Sequence, residues 1–84
     1  MSVEVVHQPE SSRFEAEVEG DVAVLAYERD GDRVVMTHTV VPRQLEGRGI
    51  AGELAQTAVG WAREQGLEVV PECSYVRAWI KEHG

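Results

Sequence analysis

Three places in this chain hold residues whose types and spacing could do chemistry. The first is the segment Gln44-Leu45-Glu46-Gly47-Arg48-Gly49-Ile50-Ala51. A Val- and Thr-rich run, Arg33 to Val41, enters it through Pro42, and apolar residues at helical spacing leave it. Strand, glycine turn and helix in that order gather unpaired backbone N–H groups and the positive end of a helix dipole at one point. Such a point binds phosphate or pyrophosphate. Gly47 and Gly49 permit close approach of the backbone. Arg43 and Arg48 can add charge-assisted bonds to phosphate oxygens, or stand as solvated surface charge. The expected ligand is a phosphorylated cofactor.

The second place is Cys73, the one cysteine of the chain. It falls just past a short apolar run and one residue before Ser74, the expected cap of a last helix. A helix N-terminus lowers a thiol pKa, and the thiolate could act as nucleophile or base. A small buried apolar residue is the plainer reading. The third is His38. Strand alternation groups it with Val34, Met36 and Val40, as a packed histidine or as an imidazole for acid–base work or acceptor binding. His7, His38, His83 and Cys73 lack ligand spacings such as C-x-x-C, so no metal is expected.

The elements that must position these groups read as follows. Val3 to His7 is a short first strand and Gln8 to Ser12 a loop. Arg13 to Glu19 alternates, with Phe14, Ala16 and Val18 on one face and charges on the other. Gly20-Asp21 turns the chain. Val22 to Glu28 is apolar on both faces, as in a more central strand. Asp30-Gly31 signals a hairpin into Arg33 to Val41. Gly49 to Gln65 reads as a helix with a stripe of Ile50, Ala51, Leu54, Ala55, Ala58 and Ala62, ended at Gly66. Leu67 to Val70 is a strand stopped by Pro71. Tyr75 to Glu82 is a helix that buries Val76, Trp79 and Ile80, capped by Ser74. The expected fold is α+β: an antiparallel meander, then α-β-α, with one right-handed crossover. Trp61 and Trp79 suit core packing, and so does Tyr75, which could also line a pocket.

Eighty-four residues make a single domain over 1–84. At 43% apolar and 27% charged the chain is ordinary globular material. A formal net charge of −7 disfavours nucleic acid and suits an amine-bearing partner or simple solubility. A lone cysteine excludes an internal disulfide framework. Met1-Ser2-Val3-Glu4 has no basic or apolar signal-like region, and no apolar run reaches membrane-spanning length. The expectation is a cytoplasmic protein without membrane contact.

Gly47-Arg48-Gly49-Ile50-Ala51-Gly52 also fits G-x-G-x-x-G. That dinucleotide fingerprint needs a larger parallel sheet, which a meander does not supply. A Walker A loop is excluded, because no Lys-Ser or Lys-Thr closes the motif. Gln44, Gly47 and Gly49 instead fit Gln/Arg-x-x-Gly-x-Gly/Ala. This resembles the pyrophosphate-binding motif of GNAT-type N-acetyltransferases. Thr37-His38-Thr39-Val40-Val41-Pro42, the loop with Leu54, and Pro71-Glu72-Cys73-Ser74-Tyr75-Val76 together resemble the small single-domain members, with a His-Thr pair and a Pro-x-Cys segment. The likeness covers roughly Phe14 to His83.

The resemblance implies the three-layer acyl-coenzyme A N-acyltransferase fold. It implies acetyl-coenzyme A as cofactor and transfer of acetyl to an amine, either a small amine or a protein lysine or N-terminus. The implied cofactor-binding residues are Thr39, Val40, Val41, Arg43, Gln44, Gly47, Arg48, Gly49, Ile50 and Ala51. The pantetheine would lie between the strands Arg33 to Val41 and Leu67 to Val70. Cys73 and His38 are the implied catalytic residues. A non-catalytic acyl-coenzyme A-binding module or sensor is the alternative, and a protein-interaction domain marked by Trp61 and Trp79 the third reading. The N-terminal helices with which larger members hold an acceptor are missing, so the acceptor is unassigned.

Overall fold

A computed structural model describes residues 3–83. Five strands form one sheet: β1 (Val5–Gln8), β2 (Arg13–Val18), β3 (Asp21–Asp30), β4 (Arg33–Val40) and β5 (Glu68–Pro71). They lie side by side in chain order. The first four are antiparallel, and β5 runs parallel to β4. Helix α1 (Ile50–Glu64) makes the crossover, and α2 (Ser74–His83) follows β5. This is the expected α+β order of meander, helix, strand, helix.

The expected alternation becomes the core. Phe14, Ala16, Ala23, Leu25, Tyr27, Val34 and Met36 are buried with Leu54, Ala55, Ala58, Val59 and Ala62 of α1 in one cluster. Fully burying each large side chain stabilises the fold by about 1.5–3 kcal/mol. The hairpin from β2 to β3 is a two-residue turn with positive φ at Glu19 and Gly20, the backbone that matches strand twist. Gly66, at φ +71°, ends α1. The Leu67 amide bonds the Ala62 carbonyl at 2.8 Å and the Gly66 amide bonds that of Arg63 at 3.1 Å, closing the helix end.

Half-buried Trp61 packs in an aromatic cluster with His7 and the buried Phe14 and Tyr27. His7 stacks on Phe14 at 4.1 Å, and Trp61 meets the His7 ring edge-on at 4.7 Å. His7 Nε2 and the Tyr27 hydroxyl are 2.7 Å apart. Burial lowers the His7 pKa, against the raising effect of Glu10. Sequence reading left His7 without a role, and here it is a packing residue.

Two expectations are corrected, and both bear on the site. First, β4 carries a bulge. Leu25 faces Thr39 and Ala26 faces His38, yet Tyr27 faces Met36, so Thr37 is the extra residue. A bulge reverses the alternation beyond it. Val34 and Met36 point into the core, while His38 and Val40 turn to the opposite face and are exposed. Thr39 takes the inward direction instead. The Thr37 hydroxyl stands 3.3 Å from the Ala26 carbonyl and 3.2 Å from His38 Nδ1, which steadies the bulge.

Second, the cap of α2 is Cys73, not Ser74. The Arg77 amide bonds the Cys73 carbonyl at 3.0 Å, so the first helical bond starts at Cys73. Ser74 is the first helical residue and is exposed. What fixes this register is the Cys73 amide, which donates to the Met36 carbonyl at 2.9 Å and anchors the segment to β4.

Candidate functional site

The glycine loop begins one step earlier than its glycines. Arg43–Leu45 forms a 3-10 turn that plugs Leu45 into the core and leaves Arg43 and Gln44 exposed. The chain then reaches Gly47 at φ +82° and Gly49 at φ +77°. Those values favour glycine at both positions. Gly49 is the N-cap of α1 and offers no side chain to the helix end. The first helical bond runs from Glu53 to the Gly49 carbonyl at 3.1 Å. Among the described residues, no acceptor takes the amides of Gly47 through Gly52. Ile50 is buried and Ala51 half-buried, so the helix is held while its end stays open.

Arg48 does not point into open solvent. Its guanidinium lies 3.4 Å from the carboxylate of Glu19, in the turn between β2 and β3. Both side chains are well exposed, so the pair is weak and can be exchanged for a stronger anion. Arg43 makes no ion pair among the described residues.

Next to the loop, β4 and β5 part. Their pairing runs from Arg33 with Glu68 to Met36 with Pro71 and stops there. Beyond it, His38 to Val40 pair only with β3. Thr39, Val40 and Val41, with Glu46, Ala51 and Tyr75, line a cavity of about 360 Å³. A second, of about 240 Å³, continues past Val41 and Tyr75 to Gly47, Gly49 and Gly52 at the α1 terminus. A Cβ at Gly52 would stand 3.5 Å from the Tyr75 hydroxyl, an ordinary van der Waals contact, so the phenol lies directly beside this residue. Burial and then the Glu82 charge raise the Tyr75 pKa. The two cavities are one groove.

Cys73 lies behind Thr39. The Thr39 hydroxyl is 3.4 Å from its sulfur. Burial pushes the thiol up from its ordinary value of 9.0. The Thr39 hydroxyl and the backbone amides of Val76, Tyr75 and Thr39 together pull it further the other way, and the net shift is downward. Two of those amides belong to the first turn of α2, so the sulfur lies at the N-terminus of that helix. The structure thus brings Thr39 and the loop to one groove, with Cys73 buried in the core against Thr39. His38 is not among them: it stands on the other face of β4. The pairing of Thr39 with Cys73 was not foreseen, because it depends on the bulge, and a Val- and Thr-rich run shows no sign of one.

Among the described residues, no three of His, Cys, Asp and Glu converge as metal ligands, and no helix is long and apolar enough to cross a membrane.

An uncapped helix behind a two-glycine turn, set against a parted parallel strand pair, defines a class, and sequence comparison gives the same one. Residues 13–84 match the GCN5-related N-acetyl-transferase family, and the chain belongs to it. Its relatives include proteins named NATD1. That of Gallus gallus is 37% identical over 84 residues, covering 96% of this chain and 76% of the relative. The Homo sapiens protein is likewise 37% identical, with 74% of its length covered. The Danio rerio protein is 35% identical over 82 residues.

Proposed function

We propose that this protein is an acetyl-coenzyme A-dependent N-acetyltransferase. The observation that carries the reading is the row of unpaired amides from Gly47 to Gly52, which opens into the gap between β4 and β5. In this reading the diphosphate sits on the amides, with Arg43 and Arg48 as charged neighbours and Gln44 at the loop's entry. The pantetheine runs along Thr39, Val40 and Val41, whose β5-side backbone groups have no strand partner.

Cys73 is the acetyl relay. Its thiolate attacks the thioester carbonyl carbon, the carbon–sulfur bond to the coenzyme breaks, and the coenzyme leaves as its thiolate. Exchange of one thioester for another is close to thermoneutral, and a lowered thiol pKa supplies the reactive form. The acceptor amine then attacks the acetyl carbon, and the Cys73 sulfur leaves with the electron pair. The proton released by the amine passes to solvent, because His38 stands on the other face of β4. The acidic balance of the chain favours an amine that is cationic when free.

Intact-mass measurement after addition of acetyl-coenzyme A alone tests the relay. One added acetyl group on the wild type and none on Cys73→Ser supports it. An unmodified wild type with full turnover in Cys73→Ser removes it. Thiol release with a panel of polyamines, amino acids and basic peptides tests the activity itself. Coenzyme binding without release for any amine would make the protein a coenzyme-binding module instead.

A further inference from the structure

The groove does not end at the glycine loop. Gly49 and Gly52 also border a third cavity, of about 430 Å³, whose other walls are Glu53 and Gln56 of α1 and Trp79 and His83 of α2. Trp79 and His83 stand one helical turn apart and stack, with ring centroids 4.6 Å apart and planes within 13°. His83 Nδ1 is 3.0 Å from the Trp79 carbonyl, which fixes the imidazole against the indole. Trp79 is half-buried, so the platform is seated on the core while its outer surface lines the cavity.

We propose that this cavity receives the adenine ring of the coenzyme, stacked on the Trp79–His83 pair. The inference rests on the coenzyme reading above and goes one subsite beyond it. Continuity supplies the occupant. One groove runs from Thr39, past Tyr75 and the open α1 amides, to His83. A ligand with its thioester near Thr39 and its diphosphate on the amides has only its nucleoside left to place, and the groove has only this end left. The chemistry of the walls suits a purine. A flat π-surface gains by stacking on aromatic rings. The Glu53 carboxylate and the Gln56 amide oxygen can each accept from an exocyclic amine such as that of adenine.

Calorimetric titration of coenzyme A and of 4′-phosphopantetheine, which lacks the nucleoside, tests this on the wild type, His83→Ala and Trp79→Leu. The expected loss of coenzyme A affinity is roughly threefold for His83→Ala and roughly tenfold or more for Trp79→Leu, within the range of base–aromatic stacking. Phosphopantetheine affinity stays unchanged in both. His83 is exposed, so its variant reports on the platform even where Trp79→Leu loosens the fold. In Trp61→Phe, coenzyme A quenches the remaining indole and phosphopantetheine does not. Equal weakening of both probes, or undiminished coenzyme A binding in both variants, overturns the platform and leaves the coenzyme reading intact. A wild type that binds neither probe overturns both.

Discussion

The two helix N-termini of this fold stand on either side of one groove and are finished in opposite ways. Helix α1 starts at Gly49, which contributes no side chain, and its first amides have no partner in the chain. Helix α2 starts at Cys73, whose sulfur draws on the amides of Tyr75 and Val76. Both ends carry the same partial positive charge. At α1 it is left for something the chain does not contain. At α2 it is spent on a thiol of the chain itself, which then favours its charged form. Affinity variants should therefore concentrate at the first end and reactivity variants at the second.

Gly49→Val should have the largest effect. A β-branched residue at φ +77° is strained, and its side chain would project into the open space beside the amides. Loss of two charge-assisted amide bonds lowers coenzyme affinity by roughly a hundredfold, and folding stability falls by about 1–2 kcal/mol. Gly60→Ala is the control on the same helix. Gly60 is exposed with nothing within 4 Å, so alanine there stabilises by about 0.5–1 kcal/mol with affinity unchanged. Calorimetry and thermal melts read both. Equal affinities in the two variants would end the view of α1 as the ligand-facing terminus.

Cys73→Ser and Cys73→Ala divide the other terminus. Serine is a good N-cap, so it keeps the melting temperature near that of the wild type while turnover falls about tenfold or more. Alanine loses the cap as well and costs about 1 kcal/mol. Full turnover in both variants would leave the sulfur no part in the transfer.

Much of this was legible in the sequence, and the misses have physical causes. Alternation at Phe14 and Ala16, the Asp30-Gly31 hairpin and Gly66 each followed from a local rule, because local geometry decides them. The bulge at Thr37 did not: it arises from how β4 meets β3, and no glycine marks it. His38 was therefore placed on the wrong face. Ser74 outranked Cys73 as a cap on propensity, and the Met36 carbonyl, distant in sequence, reversed that order. Trp79 was legible as a helix residue, but His83 lay outside the expected helix, and only the fold sets the two against Gly49 and Gly52.

Thr39→Val tests the pull on the thiol directly. It removes the hydroxyl beside the sulfur, so the Cys73 pKa rises toward 9.0. Iodoacetamide alkylation near neutral pH should slow by roughly threefold, since the thiolate is the reactive form. The stability consequence has a definite sign. A depressed folded-state pKa stabilises the fold fully above the unfolded-state value, and that contribution is lost as pH falls through the folded value. Thr39→Val should therefore be more destabilising in mildly alkaline solution than at neutral pH. Identical pH profiles of stability and alkylation would assign the hydroxyl no part in charging the sulfur.

Glu19→Gln makes the smallest change and probes the loop from outside. Glu19 holds Arg48 across 3.4 Å, with 42% of the arginine and 71% of the glutamate side chain exposed. Such a pair contributes about 0–1 kcal/mol, so stability should barely move. The arginine must leave this partner to reach a phosphate oxygen. Removing the charge at Glu19 therefore raises coenzyme affinity, by about twofold, and the gain shrinks as salt screens both interactions. Arg48→Gln moves affinity the other way, and in that background Glu19→Gln should add nothing. An equal gain from Glu19→Gln with and without Arg48 would show that the glutamate acts through the general negative field of the protein and that the loop arginine does not meet the ligand.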